Sequence, residues 1–263
     1  MIFLKLKAIA LALAVCSFFG INANAYGDNE RINWFYKTSS DNSRPDILGG
    51  NLPKNSEIAL YLGPEGDKTV YLTFDAGYSN VSVESVLDTL KEKDIKAAFF
   101  ILPGIIKNSP EIVKRMSDEG HLVCNHTTSH GDMSKISDIG QFEQELSGVE
   151  AQYSELTGLE MAKYFRPPEG AFSQSTLAFC KELGYTPVFW SFAYADWDNQ
   201  KQPSADYAKQ KILTQAHDGM VMLLHPTSRT NAEILPDVID ELTDRGYSFG
   251  SLDDLKRKLD ESN

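Results

Sequence analysis

TVYLTFDAG, residues 69–77, decides how the rest of the chain is read. Residues 69–75 are rich in β-branched and aromatic types, the composition of a strand that packs on a pleated, buried surface. The run ends in Asp75, and Ala76-Gly77 behind it calls for a turn. An Asp in that place is ordinarily a turn former. It is also where a parallel α/β protein presents a reactive group, since catalytic side chains in barrels sit at the carboxyl ends of strands.

Beyond Gly77 the chain alternates. Val83, Val86, Leu87 and Leu90 share one helical face. Residues 97–102 read as an apolar strand, 110–118 as a helix closed by Gly120, and 121–125 as the next strand. Phe142, Leu146, Val149, Tyr153 and Leu156 step by four and three residues, an amphipathic helix. A short strand at 164–166 precedes a helix over 173–183 with Gly184 at its C-cap. Buried strands at 187–192 and 220–225 flank a helix near 205–216. Ile234, Leu235, Val238, Ile239 and Leu242 mark a further helix ahead of 247–249. Such alternation predicts an α/β fold with parallel strands and helices outside.

The chain has 263 residues, 42% hydrophobic, which suits one large domain with an ordinary core. Its net charge is −12. That opposes nucleic-acid binding, which depends on neutralising phosphates with Lys and Arg. Residues 1–25 read as a signal peptide: Lys5 and Lys7 lead, an apolar stretch follows, and Ala23-Asn24-Ala25 offers a cleavage site. The apolar run falls short of the roughly 20 residues that span a bilayer. Export across the cytoplasmic membrane follows. Cys124 and Cys180 remain after cleavage. Their pairing is left open by sequence, and Cys124 reads as a small buried hydrophobe in preference to a metal ligand.

Four more islands repeat the pattern of TFDAG: HTTSH at 126–130, RPPEG at 166–170, DW at 196–197 and LLH at 223–225. Each follows an expected strand. His126 and His130 are four apart, so a helical turn would put them on one side. Two such imidazoles suit a metal with an open coordination position. Arg166 in an apolar strand needs a carboxylate partner, because an unpaired buried guanidinium is costly. His225 ends an apolar strand, where a histidine is a structural hydrogen-bonder or, with a pKa near neutrality, an acid catalyst. His121 and His217 match no island and read as structural.

In order and spacing the five islands resemble the motifs of the polysaccharide deacetylases, the NodB-homology or carbohydrate esterase family four enzymes. The resemblance covers roughly Trp34 to Leu255. It implies a distorted (β/α) barrel over residues 67–258, with residues 26–66 as an N-terminal arm packed on that domain through Trp34, Phe35 and Tyr36. It makes Asp75 the general base, Arg166 the clamp that orients it, Asp196 the residue that tunes neighbouring charges, and His225 the general acid. His126 and His130 become the ligands of a divalent metal, by donor type zinc. Trp197 walls the groove, the Glu169 amide serves as oxyanion donor, and Tyr78, in the string TFDAGYSN, contacts substrate. The family usually reads TFDDG, with the second Asp a metal ligand. Here that position is Ala76, which implies weaker metal binding with extra waters, or Asp75 moving onto the metal.

The strings MSDEGHLVCNHTTSH, FWSFAYADWD and SRTNAE bring the chain nearest the δ-lactam-biosynthetic de-N-acetylases, a subgroup that also lacks the second Asp. The implied function is de-N-acetylation of muramic acid in peptidoglycan strands after an amidase has removed the stem peptide, leading to muramic δ-lactam in spore cortex. Deacetylation of N-acetylglucosamine polymers is the alternative within enzymes, and a metal-free glycan-binding module the alternative outside them. Retention of Asp75, Arg166 and His225 argues against the module, which has no need of a base, its clamp and an acid. Arg229 is either a partner for the lactyl carboxylate or a solvated surface residue.

Overall fold

The structure is a computed structural model and describes residues 27–38 and 42–262. The leader expected over 1–25 lies outside the described residues. Three short strands come first, β1 Ile32–Asn33, β2 Tyr36–Lys37 and β3 Asp46–Ile47. The main sheet is built on β4 Thr69–Ala76, with β5 Ala98–Ile101, β6 Leu122–Asn125 and β7 Ala162–Phe165 following in order on one side. Beyond the two-residue β8 Ala171–Phe172, the order continues with β9 Thr186–Pro187. On the other side of β4 lies β10 Met220–Leu224. β11 Ser248–Phe249 pairs with the first residues of β4, on the edge away from β10. All pairings in this sheet are parallel.

The sheet curls until its ends meet. Phe192 bridges Met222 in parallel, and Ser191 N–H donates to the Val221 carbonyl at 3.0 Å. The strand expected over 187–192 is therefore broken. Pro187 has no N–H to donate, and the next residues pair with the arm, Leu60 N–H donating to Pro187 and Phe189 N–H to Leu60. The barrel is distorted at this seam.

Alternation along β4 sorts the two faces. Val70, Leu72, Phe74 and Ala76 pack with helix residues such as Val83, Val86 and Leu87. Tyr71 joins Phe100, Cys124 and Val221 in the barrel interior. Thr73 and Asp75 share the parity of Tyr71 and so face inward, Asp75 at the open end.

The helices are α1 Val81–Glu92, α2 Pro103–Asn108, α3 Pro110–Asp118, α4 Ile139–Thr157, α5 Gln174–Glu182, α6 Ala205–Thr214, α7 Arg229–Asp244 and α8 Leu252–Ser262. Local chemistry sets their ends. The Asn80 side chain accepts from Ser82 N and Val83 N to open α1. Asp138 caps α4, which Gly158 closes at φ +73°. Ser173 and Thr176 form a reciprocal capping box on α5. No helix among the described residues is long and apolar enough to cross a membrane.

The arm follows the barrel's seam. β1 pairs antiparallel with β8, directly after the RPPEG island. Trp34 is buried, stacks on Phe189 at 4.2 Å and donates from Nε1 to the Trp190 carbonyl at 2.8 Å. Stacking of this kind adds about 0.5–1.5 kcal/mol to what burial alone supplies. Tyr36 OH donates to the Ala193 carbonyl at 2.7 Å. Phe35, expected to be buried with its neighbours, is exposed, because an extended segment turns alternate side chains to opposite sides. Gly170 explains the last letter of RPPEG: φ is +66°, and an added Cβ would lie 2.7 Å from Trp190 and 2.9 Å from Trp34.

Candidate active site

β4, β6, β7 and β10 all end at the same mouth, where a cavity of about 700 Å³ opens. Seven of the sequence candidates line it: Asp75, Tyr78, His126, His130, Glu169, Trp197 and His225. The other two, Arg166 and Asp196, stand behind that lining and hold it. Their burial is nearly complete, at 0% and 1% exposure.

Arg166 follows β7 and runs its guanidinium under the cavity floor. Nη1 donates to Asp75 Oδ1 at 2.7 Å, Nη2 to Thr73 Oγ1 at 2.8 Å, and Nε to the Val188 carbonyl at 3.2 Å. The Phe100 ring lies 4.1 Å from its central carbon, a cation–π contact. The Asp75 carboxyl is thereby held below the usual carboxylate range. Burial opposes ionisation, but the charge and hydrogen bond of the Arg166 guanidinium outweigh it.

His126 follows β6. Its Nδ1 lies 2.9 Å from the Arg166 carbonyl, so Nδ1 carries the proton and Nε2 keeps its lone pair. Nε2 is 3.6 Å from Asp75 Oδ2. Burial, against the pull of Asp75, pushes the imidazole pKa down to about 4, which keeps the ring neutral. The His130 ring sits 5.0 Å from it, centroid to centroid.

The expected helical turn between these histidines is absent. The segment is a loop with left-handed residues at Thr127 (φ +74°) and His130 (φ +56°). Polar side chains satisfy its backbone in place of helical bonds: Thr127 N donates to Asn125 Oδ1, His130 N to Thr127 Oγ1, and Ser129 N to Glu145 Oε2, each at 2.9 Å. Thr and Ser compete with helix formation in this way.

Two imidazoles and a carboxylate lining one cavity are a donor set that fits a divalent transition metal such as zinc. The fixed Nδ1 of His126 is the outer hydrogen bond that a ligating imidazole requires. Among the described residues, no group of three or more His, Cys, Asp or Glu side chains converges as a ready-made cage. Ala76 contributes no donor, is fully buried and packs with the helix layer.

On the opposite wall His225 follows β10. Its Nδ1 lies 2.7 Å from Asp196 Oδ1, and its backbone N–H donates to Oδ2 at 2.8 Å. Asn231 Nδ2 donates to the same Oδ2 at 2.6 Å, and Tyr194 OH donates in turn to Asn231. Burial lowers the His225 pKa, but the Asp196 bond and charge, with Asp75, raise it above the ordinary value. Trp197 is 61% exposed, with its ring 6.2 Å from the imidazole. Tyr78 is half exposed and accepts at its hydroxyl from Asn199 Nδ2 at 2.5 Å. Glu169 adopts a left-handed backbone, φ +57°.

Thr73, Asn231, Tyr194 and Arg31 were not singled out for a role by sequence. Asn231 had a signal, a polar residue in the first turn of an amphipathic helix that turns out to be 1% exposed. Arg229 is exposed and lies outside the cavity lining. His121 and His217 are buried away from the cavity, His217 bonded to Gln215 and Ser191. Cys124 and Cys180 are free thiols buried in separate clusters, and burial raises both pKa values.

The sequence profile of the polysaccharide deacetylase family matches residues 63–188. The chain is 44% identical over 232 residues to the peptidoglycan-N-acetylmuramic acid deacetylase PdaA of Bacillus subtilis, covering 86% of each protein. The solved structure of that protein, a family 4 carbohydrate esterase, superposes with a TM-score of 0.82 and 42% identity over 88% of this chain and 98% of that one. A family 4 carbohydrate esterase from Bacillus anthracis gives 0.71 at 38% identity, with the same coverage. The peptidoglycan-N-acetylglucosamine deacetylase PgdA of Listeria monocytogenes is 32% identical over 78% of this chain and 42% of its own length. The chain belongs to the polysaccharide deacetylase family, the NodB-homology carbohydrate esterases of family four.

Proposed function

We propose that the protein hydrolyses the N-acetyl group of muramic acid in peptidoglycan strands from which the stem peptide has been cut. The observation that carries the chemistry is the pairing of two held groups across one cavity: Asp75, ionised against Arg166, and His225, kept protonatable by Asp196. Likeness to PdaA carries the choice of sugar.

In this reading Asp75 takes a proton from the attacking water as it adds to the acetyl carbonyl. The Glu169 N–H donates to the carbonyl oxygen as negative charge develops there. The C–N bond then breaks, and the His225 imidazolium gives its proton to the departing nitrogen. Acetate and a free amine result. His126 and His130 would hold the divalent ion, with Asp75 beside them, and the bound ion would supply Lewis-acid polarisation and acidify water. With Ala76 in place of a third donor, the ion is held more weakly than by three protein ligands. Trp197 and Tyr78 present exposed aromatic surface to the sugar.

The freed amine can close on the lactyl carboxylate to give the muramic δ-lactam of spore cortex. That order places the protein after a muramoyl amidase. It works outside the cytoplasmic membrane, in keeping with the leader pattern and with a peptidoglycan substrate. Released acetate tests the reading. It should appear from amidase-treated glycan strands and be weak from intact peptidoglycan. Equal release from chitin oligomers would replace the muramic-acid reading with a general de-N-acetylase.

A further inference from the structure

Arg31 lies in the arm, outside every island, yet it joins two walls of the cavity. Its Nε donates to Asn33 Oδ1 at 2.8 Å, Nη1 to Asp132 Oδ2 at 2.5 Å, and Nη2 to Glu169 Oε2 at 3.2 Å. Asp132 comes two residues after His130. Its other oxygen accepts from Ser134 N at 3.1 Å and Ser134 Oγ at 2.6 Å, which fixes the turn that ends the histidine loop. Glu169 lines the cavity in a left-handed backbone that a non-glycine residue holds only when its surroundings impose it.

The placement of Arg31 is itself determined. Ile32 and Asn33 are in register with Phe172 and Ala171, and Trp34 N–H donates to the Gly170 carbonyl at 2.9 Å. The arm is thus tied to the backbone on the far side of Glu169, and its preceding residue reaches back over the turn. A planar guanidinium can serve three separate acceptors at once, which an ammonium cannot do with the same geometry.

We propose that Arg31 is a positioning residue, locking the Glu169 turn against the His130 loop so that the arm is a working part of the active site. A partly exposed ion pair contributes little to global stability. Its consequence is local, in the order of the two loops. The effect on turnover rests on the deacetylase reading, whereas the effect on loop order does not.

The test compares wild type with Arg31→Ala and Arg31→Lys by amide hydrogen exchange, steady-state kinetics and thermal unfolding. In Arg31→Ala, exchange should quicken about threefold or more over residues 127–133 and 169–171 and stay unchanged in the barrel strands. The kcat should fall about tenfold while KM stays within about twofold. The melting temperature should move by less than about 2 °C, as for other surface pairs. Arg31→Lys should recover part of both effects. Unchanged exchange in both segments would overturn the clamp whatever the kinetics show. Faster exchange everywhere with a large loss of melting temperature would also overturn it, leaving a merely structural role. Normal kcat with loosened loops would remove its catalytic consequence. Failure of the wild type to release acetate would count against the deacetylase reading, and the exchange data would still decide the clamp.

Discussion

Arg166 Nη1 lies 2.7 Å from Asp75 Oδ1, with the guanidinium fully buried and the carboxylate at the cavity surface. The pair connects the ends of β4 and β7 and fixes one carboxylate oxygen, leaving Oδ2 turned toward His126. A buried pair of this kind is weak evidence for stability, since desolvation offsets attraction. Its value here is orientation and ionisation of Asp75.

Replacing Asp75 tests that role. Asp75→Asn retains an acceptor for Arg166 but removes the charge, so the fold should survive. We expect kcat to drop by a factor on the order of 10² or more, with KM little changed. A folded variant with near wild-type turnover would show that Asp75 is not the base.

Arg166→Lys should be severe despite conserving charge. Three acceptors at Asp75, Thr73 and Val188 need the planar fork, and an ammonium leaves some of them unpaired. Breaking a buried pair typically costs about 3–5 kcal/mol. Denaturant unfolding should register a loss of that order with Arg166→Ala and a smaller one with Arg166→Lys.

The His225–Asp196 pair predicts a pH dependence. The His225 pKa is raised, and an acid works only while protonated, so activity should decline as pH rises through that raised value. Asp196→Asn removes the main raising influence, and the alkaline limb of the kcat profile should move to lower pH. An unmoved limb would assign it to another group. The linked stability has the same sign. It is present below the unfolded histidine value and is lost as pH climbs through the folded one.

Metal removal is the next test. Prolonged dialysis against a chelator should abolish acetate release, and zinc or a similar divalent ion should restore it. His126→Ala and His130→Ala should each prevent the restoration. Full turnover by metal-free protein would contradict the assignment of these imidazoles.

The parts legible in sequence were those governed by local rules. The strands that carry Asp75, His126, Arg166 and His225 to the mouth followed, to within a residue at their ends, from apolar runs that stop at polar groups. The α4 face followed from its four-and-three spacing. What was not legible depended on distant partners. The 187–192 strand breaks because Leu60 of the arm inserts hydrogen bonds at the seam. The His126–His130 loop avoids a helix because Asn125 and Glu145 offer its N–H groups better acceptors. Arg31 could not be read at all, since Asp132 and Glu169 are 101 and 138 residues away in the chain.

The most direct measurement is mass spectrometry of glycan fragments after the protein has acted on amidase-treated peptidoglycan. The account predicts loss of acetyl from muramic acid, as free amine or as δ-lactam, with N-acetylglucosamine left intact. Acetyl loss confined to glucosamine, or no loss from either sugar with metal-replete protein, would contradict it.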